Sequence, residues 1–427
     1  MVKEIVSKVT IKPSSPTPNH LRDFKISLLD QLAPSSIYIP IVLFYSASDV
    51  SAFGNDIKMI SDKLKTSLSN VLTLYYPFCG RMKNNSTVEC NDEGVLFMES
   101  KVPQELSNIL KNPQVHEINE LFPFDPYSAE VDYNMAVQLN EFRCGGIGLG
   151  VCFSHNIGDG STAASFLNTW TGTARGESNI VAPQMEAALL FPPMNMDMNL
   201  ARGMIGHKDI VTKRFIFNGK NISKVRDKLG CFNPTRVEAV TALIWKSAME
   251  AAKASSRERT HLASMMAHAV NIRSRMASPL SKHSLGNLYL PALSPLVQGE
   301  EVVGLHYFAE IVSKTVRKVD ADYVKKLQGD ELPMVLKSLE ETRIMVLEKG
   351  IPCYGFSSWT RFDFYEADFG WGKPTWVSTI GAPIKNVVIL MDTKNGDAIE
   401  AWVTLTEHDM VEFERNPEIL EFASFDF

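Results

Sequence analysis

The sequence predicts a mixed-sheet α/β protein of two domains, and three observations carry that prediction. Short apolar runs rich in strand-forming residues alternate with stretches of helical periodicity, without the strict period of repeated βαβ units. At 427 residues the chain is longer than one hydrophobic core usually serves. Residues 191–206 collect prolines and methionines with no periodicity, as expected of a crossover between domains. The expected division is residues 1–195, a crossover loop over 196–211, and residues 212–427. No internal repeat is visible.

Taken in order, residues 12–18 are proline-rich and predict an extended surface lead-in. Residues 27–31 read as a turn before an apolar strand over 37–45. Ile60, Leu64, Leu68, Val71 and Leu72 fall on one stripe of a helix over 56–75, which Pro77 ends. Two short strands over 86–89 and 95–99 flank the turn Asn91-Asp-Glu-Gly94. A glycine-bounded apolar strand over 147–153 leads into His155, after which Ala163, Phe166, Leu167 and Trp170 recur at helical spacing. Strand residues resume over 212–217. Val240, Leu243, Ile244 and Ala248 define the inner face of a helix over 236–253. A charged helix over 330–348 and strands over 386–391 and 399–405 complete the pattern.

Composition narrows the class. A net charge of −6 offers no general attraction to nucleic acid or anionic membrane. The six cysteines are scattered without a C-x-x-C pair, which favours reduced thiols. The N-terminus shows no apolar signal region, and the apolar run over 37–45 is too short to span a bilayer. A soluble, cytoplasmic monomer is expected.

His155 and Asp159, in Val151-Cys-Phe-Ser-His-Asn-Ile-Gly-Asp-Gly160, are the chemically informative residues. An imidazole at the end of a buried strand, with a carboxylate four residues on, suits a general base on a rigid scaffold. It equally suits a hydrogen-bonded structural histidine. Gly158 and Gly160 flank the aspartate and permit the unusual backbone angles of a sharp turn. Ser154 adjoins His155, but neighbouring strand residues face opposite ways, so the histidine is badly placed to activate it. There is no G-x-S-x-G elbow, the glycines at 145, 146, 148 and 150 do not have nucleotide-loop spacing, and no third metal ligand is evident. Those glycines instead predict a strand face that a ligand or another backbone approaches closely. Base catalysis without a covalent intermediate survives this elimination.

Several segments together resemble the plant BAHD acyltransferases. His155-Asn-Ile-Gly-Asp159 matches that family's H-x-x-x-D motif, and Asp368-Phe-Gly-Trp-Gly372 matches its D-F-G-W-G motif. Tyr76-Pro-Phe-Cys-Gly-Arg81, Asn271-Ile-Arg273 and Gly286-Asn287 fall at family-like places, and the resemblance spans essentially the whole chain. Within the family, "IKPSSPTP", "LLDQ" and "AVNIRSRM" look most like the alkaloid O-acetyltransferases.

The resemblance implies two chloramphenicol-acetyltransferase-like domains, with a channel between them that admits coenzyme A and acceptor. A segment near 360–385 would cross back to the N-terminal domain. The implied reaction moves an acyl group, expected to be acetyl, from acyl-CoA to a hydroxyl of an alkaloid-like or other bulky plant metabolite. An acylsugar or volatile-ester alcohol acceptor is the alternative within the family. A non-catalytic binding relative, or a condensation-type domain of a peptide synthetase, is the alternative of another class. Acyl-CoA would be a co-substrate, with no permanently bound cofactor and no metal.

The resemblance also assigns residues. His155 is the base. Asp159 points away from it and pairs with Arg273. Ser357 and Trp359 are candidate oxyanion donors, and Lys246, Ser247 and Asn287 lie near the coenzyme A phosphates. Asp368, Gly370, Trp371 and Gly372 form a structural loop, and Tyr38 helps line the acceptor pocket.

Overall fold

The structure, a computed structural model, describes residues 3–34, 37–54, 56–128, 131–195, 209–230, 233–255, 263–298, 304–329 and 331–425. The strands in chain order are β1 (Glu4–Ile11), β2 (Asp23–Lys25), β3 (Tyr38–Tyr45), β4 (Arg81–Asn84) and β5 (Thr87–Glu89). Then come β6 (Val95–Val102), β7 (Met135–Phe142), β8 (Ile147–Ser154), β9 (Ile210–Phe217) and β10 (Met265–Asn271). The last are β11 (Tyr289–Leu293), β12 (Cys353–Ser358), β13 (Trp376–Ser378), β14 (Val387–Asp392) and β15 (Ile399–Thr406).

The chain divides into two compact units. The first comprises residues 1–199, 280–288 and 361–380, and the second residues 200–279, 289–360 and 381–427. Residues 280–288, placed in the C-terminal domain from sequence, therefore belong to the first unit. Hydrogen bonds that no sequence pattern reports tie them there, as the site shows. The expected crossover lies outside the described residues as far as 208, and its end is already strand, since β9 starts at Ile210.

The first unit holds a mixed sheet in the order β1-β6-β7-β8-β3-β13, parallel between β6 and β7, and a small sheet β2-β5-β4. β3 and β8 are buried along their whole length, which explains their unbroken apolar runs. The Ile57–Leu74 helix, capped by Asp56, buries Ile60, Leu64, Leu68, Val71 and Leu72 completely. Residues 27–31, expected to be a turn, instead begin the short Leu28–Leu32 helix, because Ser27 and Asp30 form a reciprocal capping box. β7 was not expected, since Gln138 and Asn140 interrupt its apolar pattern. Both are buried and hydrogen-bonded to backbone, Gln138 Nε2 to Glu120 O at 3.1 Å and Asn140 Nδ2 to Leu121 O at 2.9 Å.

That same loop explains Gly150 of β8. A Cβ on Gly150 would lie 2.2 Å from Leu121 O, so the close neighbour there is backbone. Beside the strand that leads to His155, Phe78, Phe153, Phe166 and Trp170 interlock edge to face, with centroids 5.4–6.2 Å apart along the chain of contacts. Such pairs contribute about 0.5–1.5 kcal/mol each beyond area burial. They fix the Gly160–Arg175 helix against β8, so the turn between them is held from both ends.

The second unit holds a sheet in the order β11-β10-β12-β14-β15-β9, parallel across β10-β12-β14. Its core includes Val240, Leu243, Ile244 and Ala248 of the Arg236–Ser255 helix against Phe215, Phe356, Leu390 and Val403. The charged helix expected over 330–348 runs Leu332–Leu347.

Candidate active site

His155 follows the last residue of β8 and is part-buried. Its backbone N–H donates to Ile37 O at 3.0 Å, and its carbonyl accepts from Asn287 Nδ2 at 2.7 Å. Both backbone groups are thus tied before the ring is considered. Burial holds the imidazole below its usual range, outweighing its own carbonyl, the Asp159 charge and the Asn287 side chain, which all favour the charged ring. The ring is therefore predominantly neutral at pH 7, the form a general base needs.

Asp159 is the N-cap of the Gly160–Arg175 helix. Its Oδ1 accepts from Thr162 N at 2.9 Å and its Oδ2 from Leu288 N at 3.1 Å. The carboxylate therefore organises backbone on two segments. Gly158 and Gly160 do not take positive φ, so the turn does not use the backbone freedom they permit. Gly158 is needed for space, because a Cβ there would lie 2.5 Å from Thr162 Cγ2, and Gly160 simply opens the helix.

The segment Gly286-Asn287-Leu288 closes the cluster. Thr162 Oγ1 donates to Gly286 O at 3.1 Å and lies 3.2 Å from Gly286 N. Gly286 has φ 131°, a conformation that favours glycine. Asn287 N and Nδ2 donate to Asp30 Oδ1 at 2.6 and 2.8 Å. Sequence reasoning named Asn287 for coenzyme A, yet it is fully buried and both amide hydrogens are committed to Asp30 and His155. It missed Asp30 and Thr162. The signal available was Ser27-x-x-Asp30, a capping pattern that reads as a turn when seen alone.

Elsewhere in the first unit, Asp368 Oδ1 accepts from Gly370 N at 2.7 Å and Gly372 N at 2.9 Å. The two glycines have φ 110° and 107°, so the carboxylate closes a tight left-handed loop. Trp371 stacks on Phe369 at 5.3 Å and meets Tyr45 and Phe53 edge to face. The Tyr38 hydroxyl donates to Val131 O and Tyr133 O at 3.0 and 2.6 Å, so it faces protein.

In the second unit, Trp359 Nε1 donates to Ser357 Oγ at 3.1 Å. That bond occupies the indole donor and leaves the serine hydroxyl proton as the one the pair can offer. Lys246 Nζ sits 2.7 Å from both Glu250 Oε1 and Glu418 Oε2. Burial would lower its pKa, but these two carboxylates raise it, so the ammonium is held charged. Ser247 is fully buried, its Oγ 3.4 Å from Asn416 Oδ1. Lys246 and Ser247, like Asn287, thus have partners within their own unit. Arg273 is 3% exposed, and its backbone N–H donates to Asn271 Oδ1 at 3.1 Å.

A turn that pairs a neutral histidine with a helix-capping aspartate, in a chain carrying D-F-G-W-G, agrees with comparison to known proteins. The model of the Transferase family matches residues 1–420. The chain belongs to the BAHD acyltransferases. Limonoid 1-O-acetyltransferase of Citrus sinensis is 37% identical over 442 residues, covering 99% of this chain and 98% of its own. Stemmadenine O-acetyltransferase of Catharanthus roseus is 37% identical over 422 residues, covering 95% of each. The crystal structure of vinorine synthase superposes with a TM-score of 0.85 at 35% identity, covering 100% of this chain and 99% of its own. This BAHD chain is accordingly an acyltransferase, in a family of acyl-CoA-dependent enzymes. Among the described residues, no helix is long and apolar enough to cross a membrane.

Proposed function

We propose that this enzyme transfers acetyl directly from acetyl-CoA to a hydroxyl of a bulky plant metabolite of the limonoid or alkaloid kind. One observation carries the mechanism: a neutral, part-buried His155 on a turn whose backbone is fixed by Asp159 and Asn287. Relatives that acetylate limonoids and alkaloids support the acceptor class.

A thioester is already activated, so the protein's task is to raise the nucleophilicity of an alcohol. His155 accepts the hydroxyl proton as oxygen attacks the thioester carbonyl. On the family's pattern, the tetrahedral oxyanion would accept a hydrogen bond from Ser357, whose own partner is the Trp359 indole. As the carbon–sulfur bond breaks, the imidazolium returns its proton to the thiolate, giving ester, free coenzyme A and neutral His155. Arg273 is the ion-pair partner of Asp159 in this reading, on the family's pattern. Lys246 is retained as a contact for a coenzyme A phosphate, which would compete with Glu250 and Glu418 for its ammonium. The same reading has a cytosolic enzyme, which the scattered cysteines support, acting as a monomer without bound metal on the family's pattern.

Initial rates with acetyl-CoA and panels of limonoid, alkaloid, sugar-ester and simple alcohols test this. Direct transfer requires intersecting double-reciprocal plots and no acyl-enzyme when acetyl-CoA is supplied alone. His155→Ala should reduce turnover by about 10²–10⁴ while leaving the fold intact. A dischargeable acyl adduct on Ser154 or Cys152 overturns the mechanism, and a strong preference for long or aromatic acyl-CoA overturns the acetyl assignment.

A further inference from the structure

Asp30 is a buried carboxylate, 3% exposed, that neither the H-x-x-x-D nor the D-F-G-W-G motif includes. Four donors converge on it. Ser27 N and Ser27 Oγ donate to Oδ2 at 2.7 and 2.6 Å, and Asn287 N and Nδ2 donate to Oδ1 at 2.6 and 2.8 Å. Asn287 in turn donates its second amide hydrogen to His155 O at 2.7 Å.

Both groups facing Asn287 Nδ2 are acceptors, so the amide has one sensible orientation. Flipping it would set the amide oxygen against a carboxylate and a carbonyl. Asn287 Oδ1 is thereby forced to the other side, where it is buried without a hydrogen-bond partner among the described residues. An unsatisfied buried amide oxygen costs stability in the resting protein. The Asn287 side chain also favours the charged form of the His155 ring, a form that base catalysis creates only during transfer.

We propose that Asp30 and Asn287 form a positioning relay for His155, in which Asp30 fixes the Asn287 amide and Asn287 fixes the histidine backbone and presents its oxygen to the imidazolium formed during transfer. The relay rests on the reading of His155 as general base. Both side chains are buried and hydrogen-bonded within the protein, so both are positioning residues. The charge balance is consistent with this role. Asn287 favours the charged ring of His155, and burial pushes the Asp30 carboxyl up to about 6 despite its four donors, which leaves it ionised above neutrality. Asp159 is the other ionisable group hydrogen-bonded into the cluster.

The test compares Asp30→Asn, Asn287→Ala, their combination and the milder Ser27→Ala in the full chain. Steady-state kinetics are paired with NMR titration of the His155 ring, assigned by loss of its signal in His155→Gln. We expect kcat to fall about 10–100-fold for Asn287→Ala, the scale for losing a hydrogen bond to a charged group. KM for acetyl-CoA and acceptor should hold, and the double variant should be no worse than Asn287→Ala alone. The His155 pKa should drop further in each variant, least in Ser27→Ala, which keeps the relay readable where larger changes impair folding. An unchanged His155 titration overturns the relay, as does a rise in KM for acetyl-CoA at constant kcat, which would return Asn287 to the cofactor. If the wild-type enzyme transfers no acyl group, the proposed function fails, while the titration still decides whether Asp30 and Asn287 act on His155.

Discussion

Removing the Asp159 side chain distinguishes an organiser of backbone from an electrostatic partner of the imidazole. Asp159→Ala deletes the N-cap of the Gly160–Arg175 helix, a loss of about 0.5–2 kcal/mol. It also strips Leu288 N of its acceptor, and an unsatisfied buried N–H costs about 1–3 kcal/mol. The sum is roughly 2–5 kcal/mol, or about 4–20 °C in melting temperature for a unit of this size. Asp159→Asn separates the two contributions. Asparagine caps as well as aspartate, so Thr162 N keeps its acceptor, but the amide nitrogen then confronts Leu288 N–H. Its loss should be confined to about 1–3 kcal/mol. Thermal melting and urea denaturation of wild type, Asp159→Asn and Asp159→Ala should rank in that order, with activity falling alongside stability. If Asp159→Ala melts like wild type while kcat collapses, the carboxylate acts on the chemistry and the structural assignment is wrong.

Four further outcomes follow from the same geometry. Because burial lowers the His155 pKa below 6.5 and the neutral ring is the active form, kcat/KM should rise with pH through a value below 6.5 and then level; an acid limb at 7 or above contradicts this. If Asp159 and Arg273 pair as the proposed function has it, the double change to alanine should destabilise by less than the sum of the single changes, and strict additivity in melting experiments refutes that pairing. Asp368→Ala frees two loop N–H groups and should cost about 1–3 kcal/mol in stability, leaving single-turnover rates at saturating acyl-CoA unchanged. Gly150→Ala drives a Cβ to 2.2 Å from Leu121 O and should destabilise by about 1–3 kcal/mol or more, whereas Gly148→Ala meets only ring carbons at 3.2 Å and should cost less; equal melting of the two variants would refute the packing argument.

How much was legible in advance varied with how local the cause was. The stripe from Ile60 to Leu72 and the apolar run of β8 announce themselves, since burial on one face or both writes a period directly into the residues. The strand–turn–helix around His155 is legible for the same reason. β7 was not, because its buried Gln138 and Asn140 are hydrogen-bonded to a loop distant in sequence. Residues 27–31 were read as a turn because a capping box and a turn use the same polar residues, and only the following backbone distinguishes them.

By itself, the sequence determined the fold class, the family and the identity of the histidine at a strand end, all properties of short segments read in order. Only the tertiary structure decided what surrounds that histidine. Asp30, Thr162, Gly286, Asn287 and Leu288 come from three stretches of chain, and their bonds to one another and to the His155–Asp159 turn run over separations as large as 257 residues. Periodicity records which face of an element is buried, but it does not record the partner. The direction of the Asn287 amide and the two acceptors it serves are set by distances of less than 3 Å between groups that no local pattern connects.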